Sequence, residues 1–269
     1  MTKVVACINL KGGVGKTALA VNFAAYCGLQ GLKTLLIDLD PQTNATFSTI
    51  GVAAWDEVKN NGTVADLLGA RKHADAEGAT KKAEEVIIEE VFENVDLIPS
   101  HIDLFTVDLD LAGARFRETR LQKALADVMG NYDMIVCDCP PNLTLPTQNA
   151  LAISTHYVVP VSLDFLSAIG VSLLLKRVQE FGGDLDQEPI HAGIVISRVG
   201  RPATHREETE ATLRKQFKEA VLGTVIRERV SVSRSAQSHR PIFELGDADA
   251  VWEFESVCEE LLDRIEGDA

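Results

Sequence analysis

The segment Cys7-Ile8-Asn9-Leu10-Lys11-Gly12-Gly13-Val14-Gly15-Lys16-Thr17 gathers glycines, lysines and a hydroxyl in a spacing suited to phosphate groups. Gly12, Gly13 and Gly15 let backbone N–H groups curl round phosphate oxygens with no Cβ in the way. A helix expected to open near Lys16 adds the positive end of its dipole. Lys16 is then placed to neutralise β- and γ-phosphate charge, and Thr17 to offer its hydroxyl to Mg²⁺. The general phosphate-loop pattern begins with a glycine where this chain has Leu10, and Lys11 is an added cation. A glycine-rich turn that merely happens to hold two lysines is the bland alternative. An apolar strand before the loop and a helical pattern after it argue against that.

Carboxylates fall where such a loop needs them. The run Leu36-Ile37-Asp38-Leu39-Asp40-Pro41 ends an apolar strand, and so does Ile135-Val136-Cys137-Asp138-Cys139-Pro140. A carboxylate at that edge can orient an attacking water or bind Mg²⁺ through water. A cap or turn role is the ordinary fate of a single Asp. Three matching elements in order favour the chemical reading. The candidate nucleotide set is Lys11, Gly12, Gly13, Val14, Gly15, Lys16, Thr17, Ala18 and Asp138, and the candidate Mg²⁺ contacts are Thr17, Asp40 and Asp138.

These residues must be carried by a regular scaffold. Strands are expected at 3–9, 33–38, 95–99, 132–138, 156–161, 191–197 and 222–226, several of them continuously apolar as in parallel strands covered on both faces. Helical patterns lie between them at 15–29, 117–129, 145–154, 168–181 and 204–218, with a last helix at 249–265. This alternation predicts an α/β fold: a doubly wound, mostly parallel sheet flanked by helices, with ligands at the carboxyl ends of the strands. Residues 51–94, rich in Ala, Lys and Glu, read as surface helices and loops, and 71–85 approaches low complexity.

The chain has 269 residues, of which 46% are apolar and 25% charged, which excludes a disordered or fibrous protein. One domain over 1–269 is expected. The first residues read as a strand and not as an export signal, and no apolar run approaches the ~20 residues of a membrane span. Cys7, Cys27, Cys137, Cys139 and Cys258 read as reduced thiols used as small hydrophobes. Net charge is −14, but residues 198–240 hold ten Lys/Arg against five Glu, while 241–269 hold one Arg against ten acids. Local fields decide binding, so the acidic total does not exclude a polyanion partner.

The motifs KGGVGKT (11–17), LLIDLDPQTNAT (35–46), DLIPS (96–100), VCDCPP (136–141), QNALAIS (148–154) and IRERVSVSRSAQSHRPI (226–242) resemble the ParA/Soj family of deviant-Walker partition ATPases, nearly end to end. The resemblance implies a P-loop NTPase with ATP and Mg²⁺ as cofactors. Lys11, Lys16 and Asp40 would be catalytic: Lys11 reaching across an ATP-sandwich homodimer to the partner's phosphates, Asp40 orienting the hydrolytic water. Asp138 would be the Walker-B acid, and Asp38 structural or on the Mg²⁺ side. It also implies non-specific DNA binding, stimulation by a ParB-like or cargo-adaptor protein, and a cytoplasmic, nucleoid-associated life spent segregating or positioning a plasmid, a chromosome or a protein assembly. Arg201, Arg227, Arg229 and Arg234 would contact DNA, with Arg198, Lys215 and Lys218 next in line.

Departures from the family pattern are Ala18 in place of a second Thr, Glu228 near a DNA-contacting Arg position, and Asp164-Phe165 in place of a Glu–aromatic pair. No room precedes the first strand for an N-terminal helix-turn-helix domain. A membrane-cycling relative of the MinD type would need a basic amphipathic C-terminal helix, and the acidic tail argues against a membrane. A metal-cluster carrier could use Cys137 and Cys139, which share a strand face, but no second motif supplies partners. A tyrosine autokinase is a poor match, since Tyr26, Tyr132 and Tyr157 all lie far from the C-terminus.

Overall fold

The computed structural model describes residues 1–70, 81–164, 166–184 and 188–267. Seven strands form one sheet: β1 (Lys3–Cys7), β2 (Thr34–Asp38), β3 (Ile88–Phe92), β4 (Val95–Ile98), β5 (Met134–Asp138), β6 (His156–Val161) and β7 (Ile190–Ile196), in the order β3-β4-β2-β5-β1-β6-β7. All neighbours pair in parallel except β3 with β4. β2, β4, β5 and β6 are buried along their whole length, which explains their continuous apolar sequences. The expected doubly wound, mostly parallel sheet is what the chain forms. Cys7 of β1 and Asp38 of β2 both sit opposite Asp138 of β5. The loops after these three strands therefore open at the same edge.

The helices are α1 (Lys16–Leu29), α2 (Asn44–Val58), α3 (Val64–Leu68), α4 (Ala83–Val86), α5 (Val107–Asp110), α6 (Arg120–Leu125), α7 (Leu145–Ile153), α8 (Ser167–Asp184), α9 (Thr204–Phe217), α10 (Val230–Ser238) and α11 (Ala248–Gly267). Leu19, Phe23 and Cys27 of α1 pack one face of the sheet with Phe254, Val257, Cys258, Leu261 and Ile265 of α11. Leu67, Leu121, Leu151, Leu174 and Val178 cover the other face. The apolar stripe of α11 is thus spent on the sheet, leaving mainly acids outside. No helix among the described residues is long and apolar enough to cross a membrane.

Three expectations need correction. Residues 222–226 are not a strand: Leu222 N donates to Ile194 O (3.0 Å) and Ile226 N to Ile196 O (2.9 Å), and only isolated bridges form. The helix expected at 117–129 breaks into a 3₁₀ turn (Arg117–Thr119), α6, and a second 3₁₀ turn (Met129–Asn131). Residues 51–94 are not merely surface, because Val64, Ala65, Leu67 and Leu68 are core and β3 forms the antiparallel edge. The short helix read around the arginines at 227–234 is α10, which begins at Val230. The low-complexity expectation at 71–80 and the remark on Phe165 fall outside the described residues.

Candidate nucleotide site

β1 delivers the chain to the phosphate loop, and Gly15 closes it at the N-cap of α1 with φ +86°, a left-handed conformation that favours glycine. Lys16, at the first position of the helix, is buried, and its Nζ donates to Lys11 O at 3.1 Å. Burial pulls the Lys16 ammonium pKa down, while Asp138 and Asp40 push it back up. A cavity of about 640 Å³ opens above the loop. Gly12, Gly13, Gly15, Lys16, Thr17, Ala18 and Asp40 line one end, and Arg227, Glu228, Arg229 and the Val232–Ala236 face of α10 line the other. A phosphate chain and a nucleoside fit such a shape: amides and a lysine at one end, a mixed apolar surface at the other. Val14 is buried behind the loop, and Lys11 and Asp138 are not among the lining residues.

Asp138 is fully buried, and neither carboxylate oxygen has a well-formed hydrogen bond among the described residues. Burial drives its pKa well above the carboxylate range and the charge of Asp38 adds to this, whereas the Thr17 hydroxyl and Lys16 pull it down. An orphaned buried carboxylate beside a threonine hydroxyl suits a hard, oxygen-seeking cation. Among the described residues no group of three or more His, Cys, Asp or Glu could hold a metal. Mg²⁺ keeps several waters and shares substrate phosphates, so one carboxylate and one hydroxyl suffice as its protein side. The residues present therefore fit Mg²⁺ held by Thr17 and Asp138 with Asp40 alongside.

Asp38 is tied into the fold by its own hydrogen bonds. It accepts from Thr46 N (2.8 Å), Thr46 Oγ1 (2.7 Å) and Asp40 N (3.1 Å), tying the start of α2 to the end of β2. Burial outweighs these bonds and raises its pKa to about 7. Asp40 is held differently. Its Oδ1 accepts from Gln42 N at 2.9 Å, and Ser100 Oγ grips its carbonyl at 2.7 Å, so the side chain stays at the cavity wall. Cys137 and Cys139 are fully buried, and burial raises the Cys137 thiol to about 12 and that of Cys139 well above its ordinary value. Protonated, enclosed thiols make poor cluster ligands.

Lys11 leaves the loop and meets Asp164, 2.6 Å from Nζ to Oδ2, with 55% of the lysine side chain exposed. Burial works against the Asp164 charge, yet bonds from Lys11, Ser162 and Ser167 hold its pKa below the usual range. Of the four arginines, Arg227 and Arg229 bind Glu253 of α11. Arg227 N (2.9 Å) and Nη1 (2.7 Å) and Arg229 Nη2 (2.8 Å) all donate to its carboxylate, which is 2% exposed. Arg229 also pairs with Asp249 at 3.3 Å. Arg201 and Arg234 are exposed and have no ion pair among the described residues, and Lys215 and Lys218 are exposed as well. Glu253, Asp164 and Ser197 are structurally important residues that motif reading missed. Only Asp164 gave a signal, as a departure from the pattern.

A parallel sheet with a phosphate loop after β1, a lysine at the helix start and an acid at the end of β5 defines a P-loop ATPase that uses ATP and Mg²⁺. A family model described as an AAA domain matches residues 2–188. The chain is 34% identical over 249 residues to the sporulation initiation inhibitor protein Soj of Bacillus subtilis, covering 90% of each chain. It is 33% identical over 242 residues to the chromosome-partitioning ATPase Soj of Treponema pallidum, covering 90% of this chain and 89% of that one. The structure of a Borrelia burgdorferi B31 protein described as a plasmid partition protein, bound to AMPPNP, superposes with a TM-score of 0.78 at 25% identity, covering 98% of this chain and 100% of that one. The chain belongs to the ParA/Soj family of partition and positioning ATPases.

Proposed function

We propose that this ATPase forms an ATP-sandwich homodimer, binds DNA without sequence preference, and is stimulated by a ParB-type or adaptor protein to segregate or position a cargo on the nucleoid. The observation that carries the reading is Lys11. It stands beside the phosphate loop, half-exposed and turned to Asp164, outside the cavity its own chain would fill. A cation so placed can be handed to a second copy's phosphates, where transition-state charge is greatest. Within one subunit Lys16 and the loop amides hold the phosphates, Thr17 and Asp138 offer oxygens to the cation, and Asp40 orients water for attack on the terminal phosphate. Mg²⁺ held by Thr17 and Asp138 would supply positive charge against the phosphates. The DNA surface is built on Arg201 and Arg234, with Arg227 and Arg229 contributing once they turn from Glu253.

The test is anisotropy of a labelled random-sequence duplex titrated with the protein under ATP, ADP or no nucleotide at two salt concentrations. ATP-dependent, salt-sensitive binding is expected. No binding in any state would overturn the DNA reading and leave the arginines to a protein partner.

A further inference from the structure

Arg198 follows β7 and adopts φ +52°, a left-handed backbone conformation that a residue with a Cβ seldom takes. This turn lays the side chain against the phosphate loop at the wall of the same cavity, which Arg198 and Ser197 line together with Gly13 and Glu228. Nη1 donates to Gly13 O at 2.7 Å, and Nη2 reaches Glu228 Oε1 at 2.9 Å. The preceding residue, Ser197, is buried, and its Oγ donates to Val14 O. Two consecutive loop carbonyls are thus held by two consecutive residues of another strand end. The fit is close: a Cβ built on residue 13 would lie 3.4 Å from Nη1.

Peptide planarity gives this grip a consequence. In a trans peptide the C=O and the following N–H point in opposite directions. Holding Gly13 O fixes Val14 N–H pointing away from the Arg198 guanidinium, and holding Val14 O fixes Gly15 N–H pointing away from Ser197. Those are the amides of a phosphate cradle. A glycine-rich loop is otherwise free to rotate its peptides, and free amides must be ordered at the expense of affinity. Only a planar fork can hold the Gly13 carbonyl and the Glu228 carboxylate together, which fits arginine and not lysine.

We propose that Arg198 is a positioning residue for the nucleotide: it presets the phosphate-loop amides by holding Gly13 O, and Glu228 keeps its guanidinium in place. This rests on the loop being the ATP site. The β-phosphate is held by these amides before and during the chemical step alike, so their loss weakens binding uniformly and leaves turnover of the bound complex intact.

The test measures the affinity of a fluorescent Mg²⁺-ATP analogue together with KM and kcat for wild type, Arg198→Ala, Arg198→Lys, Glu228→Gln and the Arg198→Ala/Glu228→Ala double variant, with Lys16→Ala as the lost-site reference. Arg198→Ala is expected to raise Kd and KM together by about 5- to 20-fold with kcat within about 3-fold of wild type. Arg198→Lys should recover part of this loss, Glu228→Gln should show a smaller loss with its arginine still present, and the double variant should be no worse than Arg198→Ala. Wild-type Kd and KM in Arg198→Ala, or additive losses in the double variant, would overturn the proposal. Failure of wild type itself to bind the analogue better than Lys16→Ala would instead overturn the ATP site. The nucleotide-free melting temperature of each variant reports folding separately, and Arg198, being half-exposed, should leave it unchanged.

Discussion

Lys11 and Asp164 hold each other across the mouth of two loops, one after β1 and one after β6, with 2.6 Å between Nζ and Oδ2. Partly exposed pairs of this kind contribute about 0.5–1 kcal/mol. If Lys11 must leave Asp164 to meet a partner's phosphates, each dimer breaks two such pairs. Asp164→Asn should then strengthen ATP-driven dimerisation by about 5- to 30-fold, the sum of two released pairs. Sedimentation velocity with ATP across a protein dilution series reads this directly. Weaker or unchanged association in Asp164→Asn would mean that the pair shapes the interface and is not a parked cation.

Lys16 and Asp40 sit in one cavity with different neighbours, and their variants should separate binding from turnover. Lys16→Ala removes the buried cation from the loop, so nucleotide binding should be lost. Asp40→Ala keeps the loop intact and should bind ATP with near wild-type affinity while turnover falls by about 100-fold or more. Equilibrium binding and single-turnover hydrolysis together check both. Normal hydrolysis in Asp40→Ala would remove Asp40 from the water-orienting role.

How far the sequence reveals the molecule depends on the reach of each interaction. The phosphate loop and Asp138 are legible because phosphate chemistry constrains residue types within a few positions, and because parallel strands advertise themselves by unbroken apolar runs. β3 is not legible: Ile88-Glu89-Glu90-Val91-Phe92 lies half-exposed at the sheet edge, so its composition looks like its surroundings. α10 is legible only as a short stretch around its arginines, because its buried positions are Ser231 and Ser235, four apart but not apolar. Glu253 is invisible for another reason. It lies 24 and 26 residues beyond the arginines it holds, and only the packing of α11 brings them together.

That packing sorts the four arginines into two classes with different expected phenotypes. Arg201→Ala and Arg234→Ala should each lower DNA affinity and reduce the slope of log K against log salt by about 1, without altering stability. Arg229→Ala should mainly lower stability, by about 1–3 kcal/mol, because it removes a charged partner from a carboxylate that is 2% exposed. Duplex titrations at several salt concentrations and urea unfolding of each variant give both quantities. A full salt-slope change in Arg229→Ala with unchanged stability would reverse the assignment.

His191 supplies an acid-sensitive element far from the loop. It lies on β7 with its ring centroid 5.1 Å from that of Tyr157, and its Nε2 has no hydrogen-bond partner among the described residues. Burial, together with the charge of Arg264, lowers its pKa from 6.5 to about 4. The folded state therefore holds this histidine neutral, while the unfolded chain takes up a proton below pH 6.5. Stability from this group is complete above pH 6.5 and is lost as the pH falls toward 4. At pH 5 the loss amounts to about 1–2 kcal/mol relative to pH 7, allowing for partial solvent screening. Urea unfolding of wild type and His191→Gln at pH 7 and pH 5 isolates the effect, since the other titrating groups, the raised Asp38 among them, are common to both proteins and cancel in the difference. The variant should show a correspondingly smaller fall. An equal fall in both proteins would show that protonation of His191 is accommodated in the fold and that acid sensitivity arises from the carboxylates.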